Sequence, residues 1–255
     1  RPRDDPMPIV LLHGTSASLH TWDGWAESLR GARRVIRLDL PGFGLTGPHP
    51  SDDYRIDSYA NFVVATLDTL GVKQAVVGGN SLGGEIAWNT AVLHPQRVSR
   101  LILVDSAGYP FVPDAVPLGF RIARMPVINR AMDYVLPRSV VAASVKNVYG
   151  DPGKVTEDVI DRYVELTLRQ GNRAALSKRL TLAQSSDETR IARIKQPTLI
   201  LWGRLDRLIP LDSAQRFARD IAGAQLVIFD TLGHVPQEED PAATLASVQR
   251  FLATP

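Results

Sequence analysis

QAVVGGNSLGGEIAWNTAVLH, residues 74–94, is the stretch on which the fold turns. Ala75-Val76-Val77 is a short apolar run, a glycine-rich corner with one serine at its apex follows, and helix-forming sequence begins at once. That succession reads as a buried strand, a sharp turn and a helix whose N-terminus opens beside a hydroxyl. A serine on so tight a corner sits in strained backbone, and the residues two before and two after it must be small because the turn presses on its neighbours. Gly79 and Gly83 meet that need, and the inner pattern Gly79-Asn80-Ser81-Leu82-Gly83 is G-x-S-x-G. The Leu82 N–H, at the helix start, points where negative charge would develop on an attacked carbonyl. A loop that merely starts a helix or cradles a phosphate has similar composition. GGNSLGG, however, is neither G-x-G-x-x-G nor a Walker sequence, and no Gly-Lys-Ser/Thr occurs in the chain.

Working outward, the chain alternates. Pro8 to Leu12 is an apolar run of strand length, Trp22 to Leu29 reads as a helix, Arg33 to Leu40 as a strand, Asp57 to Leu70 as a helix stopped by Gly71, and Arg100 to Asp105 as another buried strand. This order predicts an α/β protein, a mostly parallel sheet flanked by helices, with active residues on loops beyond the strands' C-terminal ends. From Tyr109 to about Lys195 the rhythm breaks, and the sequence is proline-spaced apolar pieces followed by helical stretches at Glu157 to Leu168 and Ala174 to Ala183. It then resumes with a strand at Thr198 to Trp202, a helix at Leu211 to Ile221, a strand at Gln225 to Phe229 and a helix at Pro241 to Leu252 with Asp240 as N-cap. The expected organisation is a core of residues 1–108 and 196–255 with a mainly helical cap over 109–195. Residues 1–6 are polar and read as a loose leader.

The totals fit one sizeable core. The chain has 255 residues, 44% hydrophobic and 22% charged, with no apolar run long enough to span a bilayer. A net charge of +2 with scattered basic residues argues against nucleic acid as partner. Zero cysteines exclude disulfides, thiolate metal sites and a cysteine nucleophile. The chain starts at Arg1 rather than methionine, so a cytoplasmic protein and an exported, N-terminally trimmed one both fit.

A serine needs a base, and the base needs a group that holds its tautomer. Of five histidines, His234 follows the last predicted strand and opens on the same sheet edge as Ser81. His94 ends the elbow helix, His20 and His49 lie in polar surroundings, and His13 precedes a loop whose useful groups are backbone N–H. For the acid, Asp206 follows the strand ending at Trp202 and precedes His234, giving the order Ser, Asp, His. Asp105 also leaves a strand at the active edge and is its competitor. A surface Asp206 paired with Arg204 or Arg207 is the bland reading, and Asp39, before a proline turn, reads as structural. The Thr15 N–H, after the first strand, is the candidate second oxyanion donor beside Leu82.

With these residues assembled, the chain resembles the α/β-hydrolase fold superfamily, through His13-Gly14, Pro41-Gly42-Phe43-Gly44, the Gly79 to Gly83 elbow, Leu201 to Asp206 and Gly233-His234-Val235-Pro236. The resemblance implies a catalytic triad of Ser81, Asp206 and His234, with Thr15 and Leu82 N–H as oxyanion hole and no metal or organic cofactor. It implies a serine esterase or lipase-like enzyme that cleaves carboxylic esters through an acyl-enzyme, with a small-molecule ester as partner. Phe111, Val112, Phe120, Ile122, Met125, Val127, Ile128, Met132 and Tyr134 give its acyl side an apolar character, although a helix in a larger core would look the same. Arg121, Arg124 and Arg130, among them, read as solvated surface. Two alternatives share the residues. Hydrolases that cleave carbon–carbon bonds of ring-fission products carry similar Gly-Asn-Ser-x-Gly-Gly elbows, usually with tryptophan directly after the catalytic histidine, where this chain has Val235. A non-enzymatic hydrolase-fold receptor also keeps a triad. The fold's usual two leading strands have no room before Pro8.

Overall fold

The computed structural model describes residues 7–110, 113–123, 136–182 and 187–253. The leader and the cap positions Phe111, Val112, Arg124, Met125, Val127, Ile128, Arg130, Met132 and Tyr134 lie outside the described residues.

Six strands form one parallel sheet: β1 (Ile9–Leu12), β2 (Val35–Leu38), β3 (Ala75–Asn80), β4 (Val98–Val104), β5 (Thr198–Gly203) and β6 (Gln225–Phe229), in the spatial order β2-β1-β3-β4-β5-β6. Every residue of β1, β3 and β5 is buried. These runs are continuously apolar because both faces of the sheet are covered. Alternate residues feed two layers. Val10, Leu12, Val77, Leu101, Leu103 and Ile200 face a cluster with α2 (Ile56–Thr69) and α3 (Leu82–Leu93). Ile9, Leu11, Val76, Ile102, Leu199 and Leu201 face the opposite cluster, with Trp25 of α1 (Asp23–Leu29) and Val248 and Phe251 of the C-terminal helix Pro241–Ala253. Because β1 sits between β2 and β3, the chain leaves β1 and β3 toward opposite sides, and a crevice opens at their C-terminal ends.

Between β4 and β5 the described elements are helices: α4 (Leu118–Ala123), α5 (Arg138–Val148), α6 (Glu157–Leu168) and α7 (Asn172–Leu182). Thr156 caps α6, its hydroxyl accepting from the Val159 N–H. Val141, Val145, Tyr149, Val155 and Ile160 form a small core of their own there, and Val235 joins it. After β5 come α8 (Leu211–Asp220), then, past β6, the one-turn α9 (Pro236–Glu239) and α10 (Pro241–Ala253). Asp240 caps α10, accepting from the Ala243 N–H.

Boundaries differ from the sequence expectation in a few places. The strand expected over Arg33 to Leu40 is ladder-bonded only at Val35–Leu38, since β1, its sheet neighbour, is four residues long. The first expected helix begins as a 3-10 turn, Leu19–Trp22, before α1. No described helix is long and apolar enough to cross a membrane.

Candidate active site

Three loops meet at the crevice. The first carries Ser81, between β3 and α3, with φ +56° and ψ −118°. Backbone so far into the left-handed region persists only where its surroundings hold it. Here the Ser81 N–H donates to the Val104 carbonyl (3.1 Å) and its carbonyl accepts from the N–H groups of Glu85 and Ala107 (both 3.1 Å). A Cβ on Gly79 would overlap the Gly83 carbonyl, and one on Gly83 the Leu12 carbonyl, so both glycines are required by close approach.

The second loop is His13-Gly14-Thr15. A Cβ on Gly14 would sit 3.1 Å from the Ser81 Cβ, which places this loop against the serine. The His13 ring is fully buried; its Nε2 accepts from the Leu40 N–H (3.0 Å), so Nδ1 carries the proton and donates to the Gly14 carbonyl (2.7 Å). Burial pushes the His13 pKa below its ordinary 6.5, against smaller opposing effects of the Gly14 hydrogen bond and of Asp39. In a trans peptide the carbonyl and the N–H point opposite ways. Clamping the Gly14 carbonyl therefore turns the Thr15 N–H away from the imidazole. Among the described residues, neither the Thr15 N–H nor the Leu82 N–H has an acceptor.

The third loop follows β6 and carries His234, buried, with Nδ1 2.7 Å from Asp206 Oδ2. The other Asp206 oxygen accepts from the N–H groups of Leu208 (2.7 Å) and Ile209 (3.0 Å). Asp206 is buried, and Arg204 pairs instead with Asp230 (2.6 Å), which removes the surface ion-pair reading. The competitor, Asp105, is also fully buried, but its Oδ1 accepts from the Gly203 N–H (3.0 Å) and the His234 ring hydrogen-bonds Asp206. Asp105, Asp206 and His234 bring one ligand-type atom each within 4.8 Å of one another. The His234–Asp206 hydrogen bond accounts for one of those contacts, while Asp105 Oδ2 has no hydrogen-bond partner among the described residues.

Ser81 Oγ and His234 Nε2 are not hydrogen-bonded to each other, a contact that commonly tightens only with substrate in place. Their elements are nevertheless tied. Asn80, beside Ser81, donates both amide hydrogens, one to the His234 carbonyl (2.8 Å) and one to the Val104 carbonyl (3.1 Å). The His234 N–H donates to the Val148 carbonyl (2.8 Å). Glu239 accepts from the N–H groups of Gly150, Asp151 and Gly233 (each 2.9 Å). Sequence reasoning gave no role to Asn80 or Glu239. Asn80 lies within the elbow motif and could have been singled out as a buried amide, whereas the partners of Glu239 are up to 89 residues away and leave no local signal.

The other histidines stay apart: His94 contacts Asn61, His20 contacts Ser18, and His49 contacts Ser51. Asp39 is structural, accepting from the N–H groups of Leu19 (2.7 Å) and Leu45 (2.8 Å).

A cavity of about 100 Å³ adjoins Thr15 and Ser16 and is walled by Phe120, Val140, Val145 and Leu176. Arg173 also lines it, half-buried and without an ion-pair partner among the described residues. Of the apolar positions expected to shape this region, Phe120 lines the cavity and Ile122 lies on α4; Arg121 is exposed.

The α/β hydrolase fold family model matches residues 7–241. The chain is 30% identical to the 2-hydroxymuconate semialdehyde hydrolase of Pseudomonas sp. strain CF600, over 97% of this chain and 87% of the relative. It is 30% identical to the 2-hydroxy-6-oxo-2,4-heptadienoate hydrolase of a Pseudomonas putida strain, over 96% of this chain and 89% of the relative. Among solved structures, the meta-cleavage product hydrolase of Pseudomonas fluorescens IP01 superposes with a TM-score of 0.84 at 26% identity, covering 96% of this chain and 90% of that one.

Proposed function

We propose that this chain, which belongs to the α/β-hydrolase fold family, is a serine hydrolase of ring-fission-type hydroxy-oxo-dienoates, cleaving the carbon–carbon bond beside their ketone. In this reading Ser81 is the nucleophile, His234 the base, Asp206 the group that holds His234 with Nε2 free, and Thr15 and Leu82 N–H the oxyanion hole. The helices over residues 109–195 are its cap, on a core of 1–108 and 196–255. Ser81 Oγ attacks the ketone as its proton passes to His234 Nε2. The oxyanion rests on the two N–H groups. For the bond to break, the dienoate's 2-hydroxyl proton first moves to the carbon beside the ketone, which becomes a saturated carbon attached to a 2-oxo-enoate acceptor. Collapse of the oxyanion then breaks the carbon–carbon bond, the electron pair enters that acceptor as a dienolate, and the dienolate takes back the proton held by His234. Water, activated by His234, then hydrolyses the acyl-enzyme. A carbon leaves this way only because conjugation spreads its negative charge, which is why the substrate must be an unsaturated oxo-acid.

The observation that carries the substrate class is Arg173. A half-buried guanidinium without an ion-pair partner among the described residues, in a mostly apolar cavity, suits a substrate with one carboxylate on a hydrocarbon chain. The names of the two sequence relatives describe substrates of that kind.

A second reading, hydrolysis of a carboxylic ester with an apolar acyl part, uses the same atoms with an alcohol as leaving group. Val235 favours it, since it stands directly after His234 where ring-fission enzymes usually have tryptophan, and it is committed to the core of α5 and α6. A hydroxy-oxo-dienoate offered beside p-nitrophenyl esters of several chain lengths, with Ser81→Ala as control, tests both. Dienoate turnover exceeding ester turnover in kcat/KM supports the first reading. Ester turnover alone replaces it with the second, and stoichiometric binding without turnover replaces both with a receptor.

A further inference from the structure

Asp105 is used by neither reading, yet it occupies the middle of the site. Its segment is bonded on one side to the nucleophile, through Val104 and Ala107 to Ser81, and on the other to β5, where the Asp105 N–H donates to the Leu201 carbonyl (3.0 Å) and its Oδ1 accepts from the Gly203 N–H (3.0 Å). Its φ of +43° is in the left-handed region, so its side-chain direction is set by those bonds at a cost in backbone energy. The remaining oxygen, Oδ2, is buried and receives no hydrogen bond from any donor among the described residues. The Asp105 carboxyl lies against the Asp206 carboxylate, with an oxygen of each within 4.8 Å of the other, and Oδ1 is already occupied by Gly203. Two carboxylate oxygens meeting in a dry site repel unless one carries a proton.

We propose that Asp105 is a positioning residue, a carboxylic acid whose Oδ2–H donates to the Asp206 carboxylate and holds it in line with His234 Nδ1. The charged groups that face it agree: Asp206 from the loop after β5 and Glu239 from α9, with His234 beyond Asp206. Burial first, and then the Asp206 charge, push the Asp105 carboxyl well above the ordinary carboxylate range. The Asp206 charge is thereby shared between the His234 ring and a neutral donor, which keeps the Asp–His bond directional without adding a second negative charge beneath the base.

The proposal rests on Ser81, His234 and Asp206 acting as a triad, but not on the substrate class, so the test uses a fluorophosphonate, which phosphonylates an activated serine with loss of fluoride. The pH profile of the labelling rate is measured for the wild type, Asp105→Asn and Asp105→Gly. Asparagine tolerates positive φ, can accept from Gly203 and can donate to Asp206; glycine tolerates the backbone but removes the donor. Asp105→Asn should keep the acid limb of the profile in place. Asp105→Gly should label about 10-fold to 100-fold more slowly through misplacement of the base, and its acid limb should move to higher pH because an unshared Asp206 charge favours the imidazolium. An acid limb that moves to lower pH in Asp105→Asn means a negative charge has been removed, and overturns the proposal. So does an Asp105→Gly profile that is scaled down with no shift, the mark of a merely structural role. If Asp105→Gly does not fold, the Asp105→Asn profile alone decides. Labelling that persists in Ser81→Ala would instead overturn the triad on which the proposal rests.

Discussion

Replacing Glu239 by glutamine should loosen the loop that carries His234 without altering its volume. One carboxylate oxygen, Oε2, accepts from the N–H groups of Gly150 and Gly233, and the other, Oε1, from that of Asp151. In Glu239→Gln the amide oxygen can occupy the two-bond position, where two charge-assisted bonds become neutral ones at a loss of about 1 kcal/mol each. The amide NH2 then meets the Asp151 N–H, donor against donor, at a further cost of about 1–3 kcal/mol. The distant Lys154 ammonium, at 3.9 Å and 41% exposed, adds little. The sum is on the order of 3–5 kcal/mol, visible in urea unfolding as a midpoint lower by about 1 M or more. Because Gly233 precedes His234, kcat should fall with KM nearly unchanged. A Glu239→Gln variant with both its urea midpoint and its kcat at wild-type values would refute the idea that this carboxylate holds the loop.

Three other outcomes are expected. Arg173→Gln should raise KM for a carboxylate-bearing substrate about 10-fold or more while leaving p-nitrophenyl ester turnover within about 2-fold; equal effects on both would remove Arg173 from substrate recognition. His13 is buried and neutral with its pKa depressed, so its contribution to stability is present above the unfolded value near 6.5 and is lost as pH falls from there through the folded value. Thermal unfolding of His13→Asn should accordingly depend less steeply on pH below 6.5, by up to about 1.4 kcal/mol per pH unit, than that of the wild type. Gly83→Ala should prevent the elbow from closing, because its Cβ would meet the Leu12 and His13 carbonyls, so neither labelling by a fluorophosphonate nor a native unfolding transition should survive.

The core was legible in the sequence because its signals are local. Continuous apolar runs mark strands covered on both faces, and the glycines of the elbow mark a backbone approach that admits no Cβ. Helix α6 spans Glu157–Leu168 as its sequence led one to expect, and the structure adds Thr156 as its cap. Helix α5, after Pro137, was not read, since Arg138 to Val148 carries most of its apolar character against α6 rather than against the sheet. The choice between Asp206 and Asp105 rested on chain order. The geometry distinguishes their surroundings: Asp206 is met by three donors, Asp105 by one donor and a neighbouring acid. The tethers of the site escaped sequence reading because most of them join groups remote in the chain, such as Asn80 to the His234 carbonyl. His13 was read for its backbone neighbourhood, whereas its ring sets the direction of the Thr15 N–H.

The measurement that bears most directly on Ser81 is peptide mapping of the acid-quenched enzyme during turnover of a p-nitrophenyl ester or dienoate. The account predicts an acyl mass on the peptide containing Ser81, its absence in Ser81→Ala, and turnover in that variant lower by about 10⁴–10⁶. An acyl group on any other residue, or wild-type turnover by Ser81→Ala, would contradict it.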